Sequence, residues 1–288
     1  MIELLLCAAI WGASFVAQKL GSEHFGPFAV ICGRELIAAA FLLCYACRRR
    51  GWNRATVIGG ALSGLFIFAG ELAQQLGVER TTPGVAAFLT TNYVLLVPVF
   101  GLCLRRKPGR GVWGGVVLAL VGTYLLCIGT GEGLFGIGAG EFFILLCAAF
   151  FAVQIIVVER FIGDCDPLLF SLVQVAVAGL VGLPFVFLPG EVARMSWHGS
   201  VQGLPAILFL GIMSSGIAYL LQNRGQVRMP AAVASIILSM EGVFATLFGW
   251  MVLGEMLTVR QLAGCAFVLA AVLLSQLLPR RPRKDDLV

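Results

Sequence analysis

The feature that most constrains this chain is a series of apolar stretches, each about 20 residues long, joined by short polar connections. A helix rises about 1.5 Å per residue, so about 20 apolar residues span the ~30 Å hydrocarbon core of a bilayer. Ten such stretches can be read, at 2–19, 27–47, 55–77, 83–104, 111–129, 138–158, 167–188, 203–223, 230–253 and 258–278. In lipid every backbone polar group must be paired within the protein, so each stretch reads as a helix. Several open on turn chemistry: Gly26-Pro27, Thr82-Pro83, Lys107-Pro108, Asp166-Pro167 and Met229-Pro230. Proline in a first turn forfeits no hydrogen bond. Charged residues make up only 12% of the chain. Soluble domains carry about 25%, so the composition excludes a soluble globule, and the expected class is an all-α membrane protein.

The nine cysteines do not describe a disulfide framework. Cys7, Cys32, Cys127, Cys147 and Cys265 fall inside apolar runs, where a thiol behaves as a small hydrophobe. Cys44 and Cys47 form a C-x-x-C without the second pair a zinc site needs, so no metal site is expected. Glu3 stands where a signal peptide would carry a basic residue, and the first stretch therefore reads as an uncleaved span.

Lysine and arginine favour the cytoplasmic side of a membrane. With a cytoplasmic N-terminus, fifteen of the twenty cations fall inside: Arg48, Arg49, Arg50, Arg54, Arg105, Arg106, Lys107, Arg110, Arg160, Arg224, Arg228, Arg280, Arg281, Arg283 and Lys284. Lys19, Arg80, Arg194 and Arg260 fall outside, and Arg34 lies within the second span. Both termini are thus expected in the cytoplasm, in a multi-pass protein of the plasma (inner) membrane. The net charge of +5 is a topology signal that calls for no nucleic-acid partner. The tail at 280–288 reads as a basic anchor at the bilayer surface.

The chain also repeats itself. Cys7-Ala8-Ala9 returns as Cys147-Ala148-Ala149, and Pro27 returns as Pro167, both at an offset of 140. Gln74, Gly77 and Arg80 meet Gln222, Gly225 and Arg228 at an offset of 148, with Pro83 and Pro230 following at 147 and Gly115 and Gly264 at 149. Repeats of five spans must insert in opposite directions, because five is odd. The expected architecture is therefore two inverted five-helix repeats, 1–130 and 131–279, around a site near the midplane.

Polar residues within spans cost about 2.5–3.5 kcal/mol when charged, so they face partners or a water-filled cavity. Here they recur at matching positions. Ser14 matches Gln154, Arg34 matches Gln174, and Glu71, Gln74 and Gln75 match Tyr219, Gln222 and Asn223. Thr90 and Asn92 match Ser239 and Glu241 at an offset of 149. Residues spaced i, i+3, i+4 share a helix face. Trp11, Ser14, Arg34, Glu71, Gln74, Asn92, Tyr93, Gln154, Gln174, Tyr219, Gln222 and Glu241 are the expected cavity residues. Glu241 and Glu71 are the candidate proton-coupling or cation-recognising groups. Arg34 is their counter-ion or an anchor for a substrate carboxylate, the alternative being a static Arg–Glu pair that holds helices in register. Glu35 points about 100° from Arg34 and is placed near the headgroups. Gly60/Gly64 and Gly111/Gly115 form G-x-x-x-G pairs for close helix contact, and Pro98 and Pro184 are candidate kinks. Trp11, Trp113, Trp197 and Trp250 lie mostly near predicted interfaces, where anchoring is the default reading.

Two motif matches carry no chemistry. Gly131-x-Gly133-x-x-Gly136 lacks a βαβ setting for a dinucleotide. Gly12-Ala13-Ser14-Phe15 lacks a catalytic base, since His24 and His198 fall in connections between spans. No enzyme, cofactor or ATP-binding site is expected.

Trp11-Gly12-Ala13-Ser14-Phe15-Val16, the stretch Gly77 to Pro98, and Ser239-Met240-Glu241-Gly242-Val243-Phe244 followed by Leu253-Gly254-Glu255 carry a family resemblance. The chain resembles the drug/metabolite transporter superfamily in its EamA-like branch, over essentially its whole length. The resemblance implies ten helices in two EamA repeats, and secondary transport of small metabolites or drugs, usually export, from a central cavity. Gly242 departs from the family's proline, Glu71 stands where a neutral or aromatic residue is commoner, and Leu104-Arg105-Arg106 replaces the first L-G-E. The expected function is a secondary transporter of amino acids, amines or cationic drugs by alternating access, with protons as candidate coupling ion. A non-transporting membrane scaffold or regulator is the alternative.

Overall fold

A computed structural model describes residues 1–81, 83–105, 108–127, 138–195, 197–253 and 258–277. Lys107, the Gly131–Gly136 motif, Gly254-Glu255 and the tail at 280–288 lie outside them, as do the side chains of Trp197 and Trp250. The described residues are helical and contain no strand. Helices α1 (Ile2–Ser22), α2 (Pro27–Ala46) and α3 (Arg54–Val78) lead into a pair, α4 (Pro83–Thr90) and α5 (Tyr93–Cys103), then α6 (Arg110–Cys127). Next come α7 (Ala139–Phe161), α8 (Pro167–Gly182), the four-residue α9 (Pro189–Val192) and α10 (Trp197–Phe209). A π-helical stretch, Leu210–Ala218, joins α10 to α11 (Tyr219–Gln226); α12 (Ala231–Leu238), α13 (Met240–Leu253) and α14 (Val259–Leu277) complete the chain. The predicted starts hold where they are described: Pro27 and Pro167 occupy first turns, and the Asp166 carboxylate accepts from the Leu168 N–H at 2.8 Å.

Among the described residues, eight helical segments are long and apolar enough to cross a membrane, and two shorter apolar helices, Arg110–Leu125 and Leu262–Leu274, stand where the fifth and tenth spans are predicted.

The fourth and ninth spans, predicted as continuous helices, are each broken near the middle. The first break lies at Thr91–Asn92 and the second at Ser239. At both, the ladder tightens to an i→i+3 bond, Val94 N–H to Thr91 O at 3.0 Å and Gly242 N–H to Ser239 O at 3.2 Å. The Thr91 hydroxyl donates to the Ala87 carbonyl at 2.8 Å and the Ser239 hydroxyl to the Ile236 carbonyl at 2.7 Å. Short polar side chains that compete for backbone carbonyls loosen a helix in this way. The breaks correspond at an offset of 148, Thr91 with Ser239, which shifts the sequence register of Thr90 with Ser239 by one residue.

Close packing repeats between the halves. Gly64 on α3 lies against the Gln174 carbonyl and Val177 of α8, and a Cβ there would overlap Gln174. Gly211 lies against the Arg34 carbonyl and Ile37 of α2, where a Cβ would sit 3.0 and 2.6 Å away. Gly60 faces Val173 with a virtual contact of 2.8 Å, so the Gly60/Gly64 pair serves the close approach expected of it. α2 packs on α8, and α6 packs on α14.

The two ends of the bundle are tied by polar contacts. At one end Arg194 pairs with Glu79 at 3.2 Å and donates to the Ser22 carbonyl, while Lys19 donates to the Val78 carbonyl at 3.1 Å. Beside them the buried Glu191 carboxylate accepts from the Ala29 N–H at 3.1 Å, in the space that Gly26 leaves by lacking a Cβ. Burial holds the Glu191 carboxyl above the usual range. At the opposite end Arg224 pairs with Glu3 at 3.1 Å, and the Asn53 amide donates to the Asp164 carbonyl at 2.7 Å.

Candidate functional site

Where α1, α2, α3, α5, α7, the π stretch, α11 and α13 converge they enclose a cavity with about 30 Å³ of free space. That is room for one or two waters. Ten of the twelve predicted residues line it: Trp11, Ser14, Arg34, Glu71, Gln74, Tyr93, Gln154, Tyr219, Gln222 and Glu241.

Two do not. Asn92 lies at the helix break, its amide donating to the Leu89 carbonyl at 3.0 Å; the one-residue register shift puts Tyr93, not Asn92, opposite Glu241. Gln174 is fully buried behind the wall, accepting from the Ser63 hydroxyl at 3.1 Å, which in turn accepts from the Gln154 amide at 3.2 Å.

Arg34 is the centre of the polar network. Its Nε donates to Ser215 Oγ at 2.8 Å and its Nη2 to Ser214 Oγ at 2.9 Å. The same Nη2 lies 3.2 Å from Glu71 Oε1, and Nε lies 3.5 Å from Glu35 Oε1. Glu35, expected near the headgroups, is instead fully buried and accepts from the Ser215 hydroxyl. Adjacent helix positions diverge by about 100° at the backbone. The long arginine side chain and the serine span that divergence.

Both cavity carboxylates are held by tyrosines. Tyr219 donates to Glu71 Oε1 at 3.1 Å, and Tyr93 donates to Glu241 Oε1 at 3.1 Å. Each pair is separated by 148 residues, the offset that relates the two halves, so each joins a position to its own counterpart. Trp11, one of the residues read from a family motif, donates its Nε1–H to the Ser214 carbonyl at 3.2 Å and meets Tyr219 edge-on at 5.3 Å between centroids.

Five lining residues escaped the sequence reading: Phe15, Gln18, Phe151, Ile155 and Ser214. The first four were legible. Trp11, Ser14, Phe15 and Gln18 follow i, i+3, i+4, i+7, and Phe151, Gln154 and Ile155 follow i, i+3, i+4. Ser214 was not, because it precedes Tyr219 by five residues. Only the wider π turn, with its i→i+5 periodicity, brings it to that face. The π stretch also accounts for a drift in offset, from 147 at Gly64/Gly211 to 148 at Glu71/Tyr219, which is one inserted residue.

A family model for the EamA-like transporter family matches residues 1–128 and again 138–277. The chain belongs to the EamA-like transporter family. Relatives of this EamA-family protein include an uncharacterized transporter of Archaeoglobus fulgidus, 30% identical over 96% of this chain and 85% of that protein. The threonine/homoserine exporter RhtA of Escherichia coli is 28% identical over 99% of this chain and 93% of its own. A solved crystal structure superposes with a TM-score of 0.75 at 19% identity, covering 96% of each chain, which supports a shared fold. Apolar helices and family membership together make this an integral membrane protein of a transporter family.

Proposed function

We propose that this protein is a secondary transporter, acting as an exporter of small metabolites such as amino acids, amines or cationic drugs. It works by alternating access around the central cavity. In this reading the chain forms ten transmembrane helices in two inverted repeats, 1–130 and 131–279, in the plasma (inner) membrane with both termini cytoplasmic. The double family match, the corresponding helix breaks and the paired glycine contacts support the repeat.

The observation that carries the proposal is a small central cavity lined by two tyrosine-held carboxylates and a buried arginine. Ionisable groups buried in a membrane bundle are costly and mark transport pathways. With space for little more than water, the cavity must widen to admit a substrate, and polar ties at both ends of the bundle are the contacts such a motion would break. Glu241 and Glu71 are the proposed proton-coupling groups.

The test is flux into proteoliposomes of purified protein under an imposed proton gradient, with a panel of amino acids, amines and cationic dyes. Gradient-dependent flux that disappears in Glu241→Gln is expected. Flux indifferent to both gradient and substitution would remove the coupling role, and absence of flux across a widened panel would favour a non-transporting protein.

A further inference from the structure

We infer that the ligand of this cavity is an organic ammonium, bound in exchange for protons between Glu71 and Glu241, and that Arg34 is a positioning residue rather than a receptor for a substrate carboxylate. The inference deepens the transport reading and rests on it for the cavity's role.

Charge balance around the cavity favours a cation. One buried cation, Arg34, faces two buried carboxylates, Glu35 and Glu71, and two of its nitrogens are engaged by Ser214, Ser215 and those acids. Glu241 has no such partner. Around it stand Tyr93 on α5, Cys7 on α1 and Cys147 on α7, and no described lysine, arginine or histidine lies within ion-pair distance. Around Glu71 stand Arg34, Glu35 and Cys32 on α2, Cys147 on α7 and Tyr219 on α11. Fully ionised, this set carries two uncompensated negative charges. Buried side chains around a space that holds a water or two cannot carry them unpaired. They are neutralised by protons or by a cation, and a ligand carboxylate would add a third negative charge.

Glu71, which lines the cavity, has a buried Oε2 with no donor, as does its neighbour Glu35, and the two carboxyls lie close enough to share one proton. Buried carboxylate oxygens are seldom left so, and an ammonium N–H or a proton supplies what is missing.

Trp11, Phe15, Phe151, Tyr93 and Tyr219 surround the same space. Aromatic faces attract organic cations through the ring quadrupole and desolvate them at little cost. Carboxylates among aromatic rings suit an alkyl- or arylammonium better than a bare metal ion, which takes several oxygen ligands.

The experiment compares three matched probes on purified full-length protein by titration calorimetry: phenethylamine, phenylalanine and 3-phenylpropionate. Phenethylamine is expected to bind at least about tenfold tighter than phenylalanine, with 3-phenylpropionate weaker still. Titrations in buffers of different ionisation enthalpy are expected to show about one proton released per amine bound in the pH range where a cavity carboxylate is protonated. Affinity then falls as acid is added, and Glu241→Gln removes the proton release. Equal or tighter binding of phenylalanine or 3-phenylpropionate, amine binding without proton release, or binding of none of the three would overturn the inference. The wild-type proton count does not depend on a variant folding. Flux of phenylalanine without amine binding would sink the ammonium site and leave the transport reading standing. Amine binding with proton release but no flux of any panel member would do the reverse.

Discussion

Gly12 has no room for a side chain, and the consequence can be worked out. A Cβ at Gly12 would lie 2.7 Å from the Ala245 nitrogen, 2.7 Å from Phe244 Cβ and 2.8 Å from the Glu241 carbonyl oxygen. Ordinary contact begins at 3.4 Å, so the shortfall is about 0.7 Å. Two of the three atoms are main chain and none can rotate away, so Gly12→Ala must push α1 off α13. Overpacking of this kind costs about 1–3 kcal/mol, which a fold of about 5–15 kcal/mol can survive. Gly122 is the natural control: its virtual Cβ meets Gly264 O and Val268 Cγ2 at 2.7 Å and the Val268 nitrogen at 2.8 Å, but between α6 and α14, which contribute nothing to the cavity wall. Both alanine variants are expected to unfold in detergent at similarly lowered temperatures. Flux per folded molecule is expected to fall at least about tenfold in Gly12→Ala, because a binding constellation must be held within about 0.5 Å and Glu241 is displaced. In Gly122→Ala it should stay near wild type. Wild-type stability in Gly12→Ala would refute the steric argument, and an equal flux loss in Gly122→Ala would refute the link from packing to the cavity.

Arg34→Ala strands Glu35 and Glu71 without their cation; breaking a buried pair costs about 3–5 kcal/mol, so little folded protein is expected by size-exclusion chromatography, and adding Glu35→Gln and Glu71→Gln should recover part of it. Ser215→Ala removes the hydroxyl that accepts from Arg34 and donates to Glu35; hydrogen bonds to charged groups are worth about 1.5–3 kcal/mol, and a drop in unfolding midpoint should follow, with a similar but separate drop for Ser214→Ala. The raised pKa of Glu191 means that the folded state holds this proton more tightly than the unfolded chain does. Its contribution is therefore fully present below the ordinary glutamate value of about 4.3 and is lost as pH rises through the higher folded value. Thermal unfolding followed against pH should lose that slope in Glu191→Gln, and an unchanged profile would count against it.

The relatives sharpen what the cavity must be asked. An exporter of threonine and homoserine shares 28% identity over nearly the whole chain, and those are zwitterions. The ammonium site inferred above would give this cavity a different charge preference, and the matched probes separate the two.

Much of this protein was written in one dimension. The ~30 Å apolar core of a bilayer forces long apolar runs, so the helices announce themselves by composition alone. Buried polar residues are too costly to occur idly in such runs, which is why Arg34, Glu71, Gln154, Tyr219, Gln222 and Glu241 stand out from the sequence, while Tyr93 does so through the family motif. Helical periodicity carried the same message for Phe15 and Gln18 beside Trp11. The tertiary structure alone decided three things. It placed the breaks at Thr91 and Ser239, where side-chain hydroxyls win carbonyls from the ladder, and so set Tyr93 opposite Glu241. It drew Glu35 into the network through Ser215, a bond between residues 180 positions apart. It also inserted one residue between Gly211 and Tyr219 as a π turn, which turned Ser214 onto Arg34. Local pattern assumes a uniform 3.6-residue period and long-range partners leave no mark on it; where the period changes, or where a side chain reaches another helix, only the packed chain holds the answer.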